Sequence, residues 1–203
     1  MKPMTSCQLI GVVGGSGSGK TWLARNLQAS LGASCGHLSL DDFYQDLSHL
    51  PVEQRGLVNF DDPKAIDWNS LRQVLECLGS GKDAQIPNYD FSTHSRHPQT
   101  RRMGACRWLV VEGLWLLHEP WLREKLSLSV YVDCPEEERL RRRIERDVLE
   151  RGRSEESVRK QFGEHVQPMH ALFVEPQRFH AMHCMGSPMT LDDCESLVAP
   201  LKD

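Results

Sequence analysis

At 203 residues the chain is long enough to bury one sizeable core, and 39% apolar with 26% charged residues places it among ordinary globular proteins. A net charge of −4 excludes a general attraction to nucleic acid or to anionic membrane, so any basic residues that matter must act locally. No apolar stretch approaches a membrane span, residues 1–7 are too short and polar for the apolar core of a signal sequence, and the seven scattered cysteines, with no C-x-x-C, fit reduced thiols in a cytoplasmic protein better than a disulfide framework.

In chain order, the apolar run at residues 9–13 predicts a first strand. It leads directly into Gly14-Gly15-Ser16-Gly17-Ser18-Gly19-Lys20-Thr21, which fits G-x-x-x-x-G-K-[ST] in the strand-then-helix setting that pattern requires. Glycines at these spacings let several backbone N–H groups converge on one phosphate chain, Lys20 adds a full charge, and Thr21 offers a hydroxyl to magnesium. Leu23, Leu27 and Leu31 give the following stretch the period of a helix, to about residue 31. Residues 37–40 predict a second strand ending at Asp41-Asp42. Residues 42–63, rich in polar residues, Pro and Gly, form a functional excursion.

Helical spacing resumes over 65–78 through Ile66, Leu71, Val74, Leu75 and Leu78, and Gly79-Ser80-Gly81 stops it. Residues 84–96 alternate and carry a proline, which predicts a small antiparallel excursion, extending to about residue 100. A buried-type strand at 108–111 ends at Glu112-Gly113, a short helix follows Pro120, and 128–132 is the next strand. Pro135 opens a helix to about residue 151 with Glu136, Glu137 and Glu138 in its first turn. Its apolar stripe is Leu140, Ile144 and Val148, its arginine face is Arg139, Arg143 and Arg146, and the pairs Glu137–Arg141 and Glu138–Arg142 support it. Ser154 caps a further helix that bends at Pro168, and a last strand near Met182 and a last helix at 191–201 close the chain. The succession predicts an α/β fold, a P-loop NTPase-type parallel sheet flanked by helices with an antiparallel excursion and an Arg-rich helical lid at about 139–160, in one domain over 1–203.

Ligands in such sheets sit beyond the carboxyl ends of the strands, where the phosphate loop, Asp41-Asp42, Glu112 and Asp133 all fall. Asp41 or Asp42 is placed to orient an attacking hydroxyl, and Glu112 to meet magnesium. Asp133 reads as an N-cap for the Pro135 helix. Arg143-x-x-Arg146-Asp147 and Arg151-Gly152-Arg153, with Gly152 allowing a turn, read as a phosphate-clamping lid. His94-x-x-His97 and His180, His183 and Cys184 lack the further ligands a metal site needs, whereas Tyr89, Phe91 and His94 suit stacking against a flat ring. There is no D-x-x-G and no N-K-x-D, which argues against a nucleotide-dependent switch.

Together these segments resemble the uridine–cytidine kinase family, within the phosphoribulokinase/uridine kinase superfamily. The resemblance runs in order through Gly14 to Thr21, Asp41-Asp42-Phe43-Tyr44, Asn59-Phe60-Asp61 with Pro63, Ile86-Pro87, Tyr89-Asp90-Phe91, His94-Ser95-Arg96, Val111-Glu112-Gly113, Val132-Asp133, Arg142-Arg143, Arg146-Asp147 and Glu150-Arg151-Gly152-Arg153, covering about residues 8–176. It implies transfer of a γ-phosphoryl group from ATP or GTP, with Mg2+, to the 5′-hydroxyl of uridine or cytidine. Another small alcohol such as nicotinamide riboside is the alternative acceptor.

By the same resemblance Asp41 is the catalytic carboxylate, with Lys20 and Arg146 stabilising charge. Gly14, Gly15, Ser16, Gly17, Ser18, Gly19, Lys20, Thr21, Arg146 and Arg151 hold the triphosphate. Thr21, Glu112 and Asp41 surround magnesium. Asp61 grips the ribose, Tyr44, Tyr89, Phe91 and His94 shape the nucleoside pocket, and Arg143, Arg153 and Gln161 reach the nucleoside or its phosphates. The partner implied is a small nucleoside, with no nucleic acid and no membrane, and a homo-oligomer is left open. Departures from the family pattern are Leu40 and Asp42 around the catalytic aspartate, bulky Trp22 after the loop, and a C-terminal segment with His183, Cys184, Met185 and Pro188.

Overall fold

The computed structural model describes residues 7–202, so the reading of residues 1–7 falls outside the described residues except at Cys7. In chain order the elements are β1 (Gln8–Gly14), α1 (Lys20–Leu31), β2 (Cys35–Ser39), α2 (Val52–Arg55), α3 (Trp68–Gly79), β3 (Ala84–Ile86), β4 (Tyr89–Asp90), β5 (Ser95–Arg96), β6 (Arg101–Met103), β7 (Trp108–Gly113), α4 (Pro120–Arg123), β8 (Leu126–Asp133), α5 (Glu136–Arg151), α6 (Glu155–Gln161), α7 (Gln167–Met169), β9 (His183–Gly186) and α8 (Leu191–Lys202). A five-stranded parallel sheet in the order β2-β7-β1-β8-β9 forms the centre, with helices on both faces. Among the described residues no helix is long and apolar enough to cross a membrane.

The near-continuous apolar runs of β1 and β7 follow from burial on both faces of a covered parallel sheet. Leu9, Val13, Leu109 and Val111 pack on one side with Leu71, Val74, Leu75 and Leu78 of α3 and with Phe43 and Trp115. Ile10, Val12, Trp108 and Val110 alternate to the other side, against Leu23, Leu27 and Leu31 of α1 and Cys194 and Val198 of α8. The register sets Glu112 beside both Val12 and Ser39, so β1, β2 and β7 release their chain at one carboxyl edge of the sheet. The phosphate loop, the Leu40–Phe43 turn and Glu112 therefore emerge together.

Several expectations are corrected. Leu40 leaves the predicted second strand and opens a 3-10 turn, Leu40–Phe43. The helix expected from residue 65 starts at Trp68, because the Asp67 carboxylate accepts from the Ser70 N–H (3.0 Å), while Pro63–Ala65 is a separate 3-10 turn. The antiparallel excursion is two ribbons, β3–β6 and β4–β5, and the first takes its partner from Arg101–Met103, beyond the predicted end. Asp133 is not an N-cap: Pro135 holds that position without a side-chain bond, and Asp133 pairs with Arg178 at 3.2 Å. Glu138, not Glu137, serves Arg141, and Arg142 as well.

The larger correction concerns α5. The residues it buries are Arg139, Arg143 and Asp147, whereas Val148 of the predicted apolar stripe is 40% exposed. The helix packs its polar face on the phosphate loop, where the Arg143 Nη1 donates to Ser16 Oγ at 3.0 Å, so contact with a polar site overrides the apolar period. Past α6 the helical run continues through Pro168, with wider π-type turns at Phe162–Val166 and His170–Val174 on either side of it. That loosening accommodates a residue that cannot donate a backbone hydrogen bond. The last strand forms at His183–Gly186, pairing in parallel with β8 despite its polar composition, and the last helix runs as predicted.

Candidate active site

The phosphate loop keeps its shape through glycines in the left-handed region: Gly17 has φ 80 and Gly19 φ 97. A Cβ on Gly17 would also run into the Arg139 carbonyl. The loop closes with Ser18 N–H donating to Gly15 O (3.0 Å), and α1 begins at Lys20 with neither a side-chain cap nor an acidic residue in its first turn. That leaves the helix N-terminus electropositive and its amides free for an anion. Ser18 Oγ is buried without a partner.

Thr21 Oγ1 donates to Glu112 Oε1 at 3.0 Å, and Glu112 is only 4% exposed. A buried carboxylate beside a hydroxyl, next to a phosphate cradle, is an oxygen donor set of the kind magnesium prefers. The two neighbouring aspartates part ways. Ser39 Oγ caps the Leu40–Phe43 turn by accepting from Asp41 N–H (3.3 Å), and Asp41 lines the cleft beside Lys20. Asp42 turns away to Arg101 at 3.3 Å. Burial pushes the Asp41 carboxyl above its usual range, and Glu112 adds to this, while Lys20, Arg146 and Arg151 oppose it.

On the opposite wall, Tyr44, Phe60, Asp61, Tyr89, Phe91 and His94 meet. Tyr44 sits among Phe60, Tyr89 and Phe91 with ring centroids 5.6, 5.2 and 6.1 Å away, and its hydroxyl donates to the Phe60 carbonyl at 3.1 Å. His94 stacks on Phe60 at 4.4 Å and 14° between planes. Its φ of 50 is a strained value for a residue with a side chain, held by the turn joining β4 to β5. Arg96 pins this ribbon, bridging Asp67 (3.1 Å) and the carbonyls of Tyr44 (2.9 Å) and Phe43 (3.2 Å). Burial lowers the His94 pKa against the pull of Asp90, so the ring is neutral at pH 7, and its Nδ1 is buried without a partner. Burial raises Asp61, with Arg143 and His165 opposing.

The third wall is α5 and α6, folded over each other at Gly152, whose φ of 62 allows the turn. Asp147 lies at its centre, with no exposed side-chain surface and with Arg143 (3.5 Å), Arg146 (2.8 Å), Arg151 (3.6 Å) and Arg153 (3.6 Å) around it. Gln161 Oε1 accepts from Arg143 (3.0 Å) and Arg153 (2.5 Å), tying α6 to α5. Burial lowers the pKa of Arg143, with Asp61 and Asp147 opposing.

These walls enclose one cleft of about 880 Å³, lined among others by Ser16, Lys20, Asp41, Tyr44, Asp61, Tyr89, Phe91, His94, Arg143, Arg146, Arg151, Arg153 and Gln161. The acceptor-side residues singled out in the sequence thus meet there with Arg146 and Arg151 of the lid, while Arg139 and Asp147 lie outside the lining, and Thr21 and Glu112 pair with each other at the phosphate loop. Among the cleft residues to which the sequence assigned no role is Phe60, which stacks on His94 although only its neighbour Asp61 carried a chemical signal. Asp147, read with the lid arginines, sits four residues from both Arg143 and Arg151 and so shares their helix face.

Comparison with known proteins agrees with this architecture. The chain is 43% identical over 174 residues to a uridine kinase of Chloroflexus aurantiacus, covering 85% of this chain and 83% of that one. It is 40% identical over 172 residues to a uridine kinase of Halobacterium salinarum, covering 85% and 76%. The phosphoribulokinase of Rhodobacter spheroides shares the fold at 14% identity, with a TM-score of 0.65 over 94% of this chain and 74% of that one. Residues 9–185 match the model of the Phosphoribulokinase / Uridine kinase family, and to that family this chain belongs.

Proposed function

We propose that this protein is a cytoplasmic nucleoside kinase that transfers the γ-phosphoryl group of ATP, or of GTP, to the 5′-hydroxyl of uridine, with cytidine as the second acceptor. The observation that carries this reading is the shared cleft: Lys20 and Asp41 face the same cavity as Asp61 and His94. The named activity of the relatives, uridine kinase, agrees with it.

The roles follow from the chemistry of each wall. The loop amides, Lys20, Arg146 and Arg151 would bind and orient the triphosphate, and the unpartnered Ser18 hydroxyl is free to join them. Thr21 and Glu112, with Asp41 near Glu112, would hold magnesium, which when bound would offset the negative charge of the phosphates. Asp41 would accept a hydrogen bond from the acceptor hydroxyl and take its proton as the phosphoryl group arrives. Its raised pKa makes it a better base than an exposed aspartate, and Lys20, Arg146 and Arg151 around it favour its ionised form. A loose phosphoryl-transfer transition state asks little early deprotonation of it.

Asp61, with Arg143 opposite, suits paired ribose hydroxyls as an acceptor of two hydrogen bonds. The Phe60–His94 stack, with Tyr89, Phe91 and Tyr44 behind it, offers a flat apolar slot, and the neutral His94 ring can meet the polar edge of a pyrimidine. Arg153 and Gln161 complete the lid, whose closure over both ligands would exclude water and suppress hydrolysis of the donor.

The test is a coupled assay with ATP and Mg2+ over uridine, cytidine, purine nucleosides, 2′-deoxyuridine, nicotinamide riboside and simple polyols, with products identified by mass. Uridine should give a 5′-monophosphate with the highest kcat/KM, and 2′-deoxyuridine should fall by at least tenfold through loss of an Asp61 contact. Phosphorylation of a polyol or nicotinamide riboside with no pyrimidine nucleoside accepted would overturn the proposal.

A further inference from the structure

The seven cysteines are not equivalent. Cys35, Cys134 and Cys194 are buried, and Cys77 and Cys184 are exposed. Cys7 and Cys106 are half-buried, and their Sγ atoms lie 3.6 Å apart although 99 residues separate them in the chain. Each immediately precedes a central strand or its first hydrogen bond. Cys7 stands before β1, Cys106 shortly before β7, and the two strands start in register with Gln8 beside Trp108 and Gln8 N–H donating to Arg107 O at 2.9 Å. The backbone thus holds the two thiols in contact at the amino edge of the sheet, the edge away from the phosphate loop.

The pair is also chemically polarised. A hydrogen bond from Cys7, with help from the Gly36 backbone, holds the Cys106 thiol below its ordinary pKa, and the same contact pushes Cys7 up. Of the two, Cys106 is the more readily ionised thiol. Nearby Cys35 is pushed up to about 11 by burial, so it is a poor nucleophile. Neither member of the pair has a part in phosphoryl transfer.

We propose that Cys7 and Cys106 form a thiol–disulfide exchange site that accepts a low-molecular-weight disulfide, with Cys106 as the attacking and Cys7 as the resolving cysteine. Cys106 loses its proton to solvent and its thiolate attacks one sulfur of the small disulfide, which forms a mixed disulfide on Cys106 and expels one thiolate, protonated by solvent. Cys7 then loses its proton to solvent and attacks Cys106 Sγ, forming the Cys7–Cys106 bond and expelling the second thiolate. The protein gives up two electrons and two protons, and the small disulfide is reduced to two thiols. The sulfurs must close from contact to a bond of about 2.05 Å, which calls for side-chain rotation and a small shift of the half-buried Cys7 and Cys106. The resulting bond would staple β1 to β7.

The test treats the reduced full-length protein with oxidised glutathione under native conditions and quenches with a maleimide before peptide mapping without reductant. The expected result is a Cys7–Cys106 linked peptide and a fall from seven free thiols to five. Cys7→Ser should trap glutathione on Cys106, whereas Cys106→Ser should leave Cys7 free. The oxidised enzyme should keep its kinase rate within about twofold, since the site is at the far edge of the sheet. Glutathione on Cys77 and Cys184 with Cys7 and Cys106 both free would overturn the proposal. So would a Cys7→Ser protein whose Cys106 stays unmodified.

Discussion

Replacing Asp147 by Asn isolates one charge at the centre of the lid. The amide keeps nearly the same shape and can still accept the bond from Arg146 Nε, so packing changes little. What disappears is the carboxylate that neutralises Arg143, whose side chain is 8% exposed. Arg146, Arg151 and Arg153 are 34, 37 and 28% exposed, so water screens most of their share. The loss therefore concentrates on one buried guanidinium that keeps only Asp61 as a counter-charge, at about 3 kcal/mol, the lower end for breaking a buried pair because that second carboxylate and the Arg146 hydrogen bond remain. For a chain of this size that corresponds to a fall in Tm of about 6–12 °C. Thermal unfolding should be followed with and without uridine plus a non-hydrolysable ATP analogue. Triphosphate replaces the missing negative charge, so the ligands should raise Tm more in Asp147→Asn than in the parent. A loss below about 2 °C, or a ligand-induced rise no larger than the parent's, would refute the view that Asp147 holds these arginines ready for phosphate.

Phe60→Ala removes the partner of the His94 stack and should raise the KM for uridine by about tenfold, at the scale of one aromatic–base contact, with the KM for ATP nearly constant; steady-state kinetics at saturating ATP check it. Glu112→Gln weakens the oxygen donor set beside Thr21 and should move the Mg2+ needed for half-maximal rate upward by about tenfold or more, read from a metal titration at fixed ATP. The acid limb of kcat/KM should lie above the ordinary carboxylate value of 3.8, because activity needs ionised Asp41 and is lost as pH falls through its raised pKa. The same upward shift means that the folded state binds this proton more tightly than the unfolded chain, so the ionised group weakens stability once pH passes above that window. Asp41→Asn should accordingly raise Tm at pH 7 while lowering turnover by about a hundredfold or more, measured on one preparation by thermal unfolding and single-turnover kinetics. A variant with near-normal turnover removes Asp41 from the reaction.

The architecture was legible where one physical requirement dominated. A strand buried on both faces has to be apolar throughout, so β1, β7 and β8 stood out, and a glycine-rich turn between strand and helix marked the phosphate loop. The edge strand β9, expected near Met182, forms at His183–Gly186, and its composition marked it only weakly because His183 and Cys184 are exposed and owe their pairing to β8. Helix starts moved where an aspartate competed for the backbone, as Asp67 does at α3, three residues later than the apolar period began. In each case the missing information was tertiary: which neighbour an element would meet.

The same distinction explains the lid. Helical periodicity assigned Leu140, Ile144 and Val148 inward because apolar residues usually seek the core, but on α5 the first two are only half-buried, Val148 is exposed, and Arg139 and Arg143 are the buried residues. Burying Arg143 is tolerable only with a compensating charge in reach, and Asp147 supplies one at i+4 before any ligand arrives. A helix built this way is held by charge balance at one end of its inward face and by the Gly17–Arg139 contact at the other. In the proposed reaction triphosphate would bring a second set of negative charges to this face, and Arg146, Arg151 and Arg153, each about a third exposed, are the arginines that solvent and ligand can reach. Arg143, buried and held by Ser16, Gln161 and Asp147, belongs to the framework that sets the cleft's width.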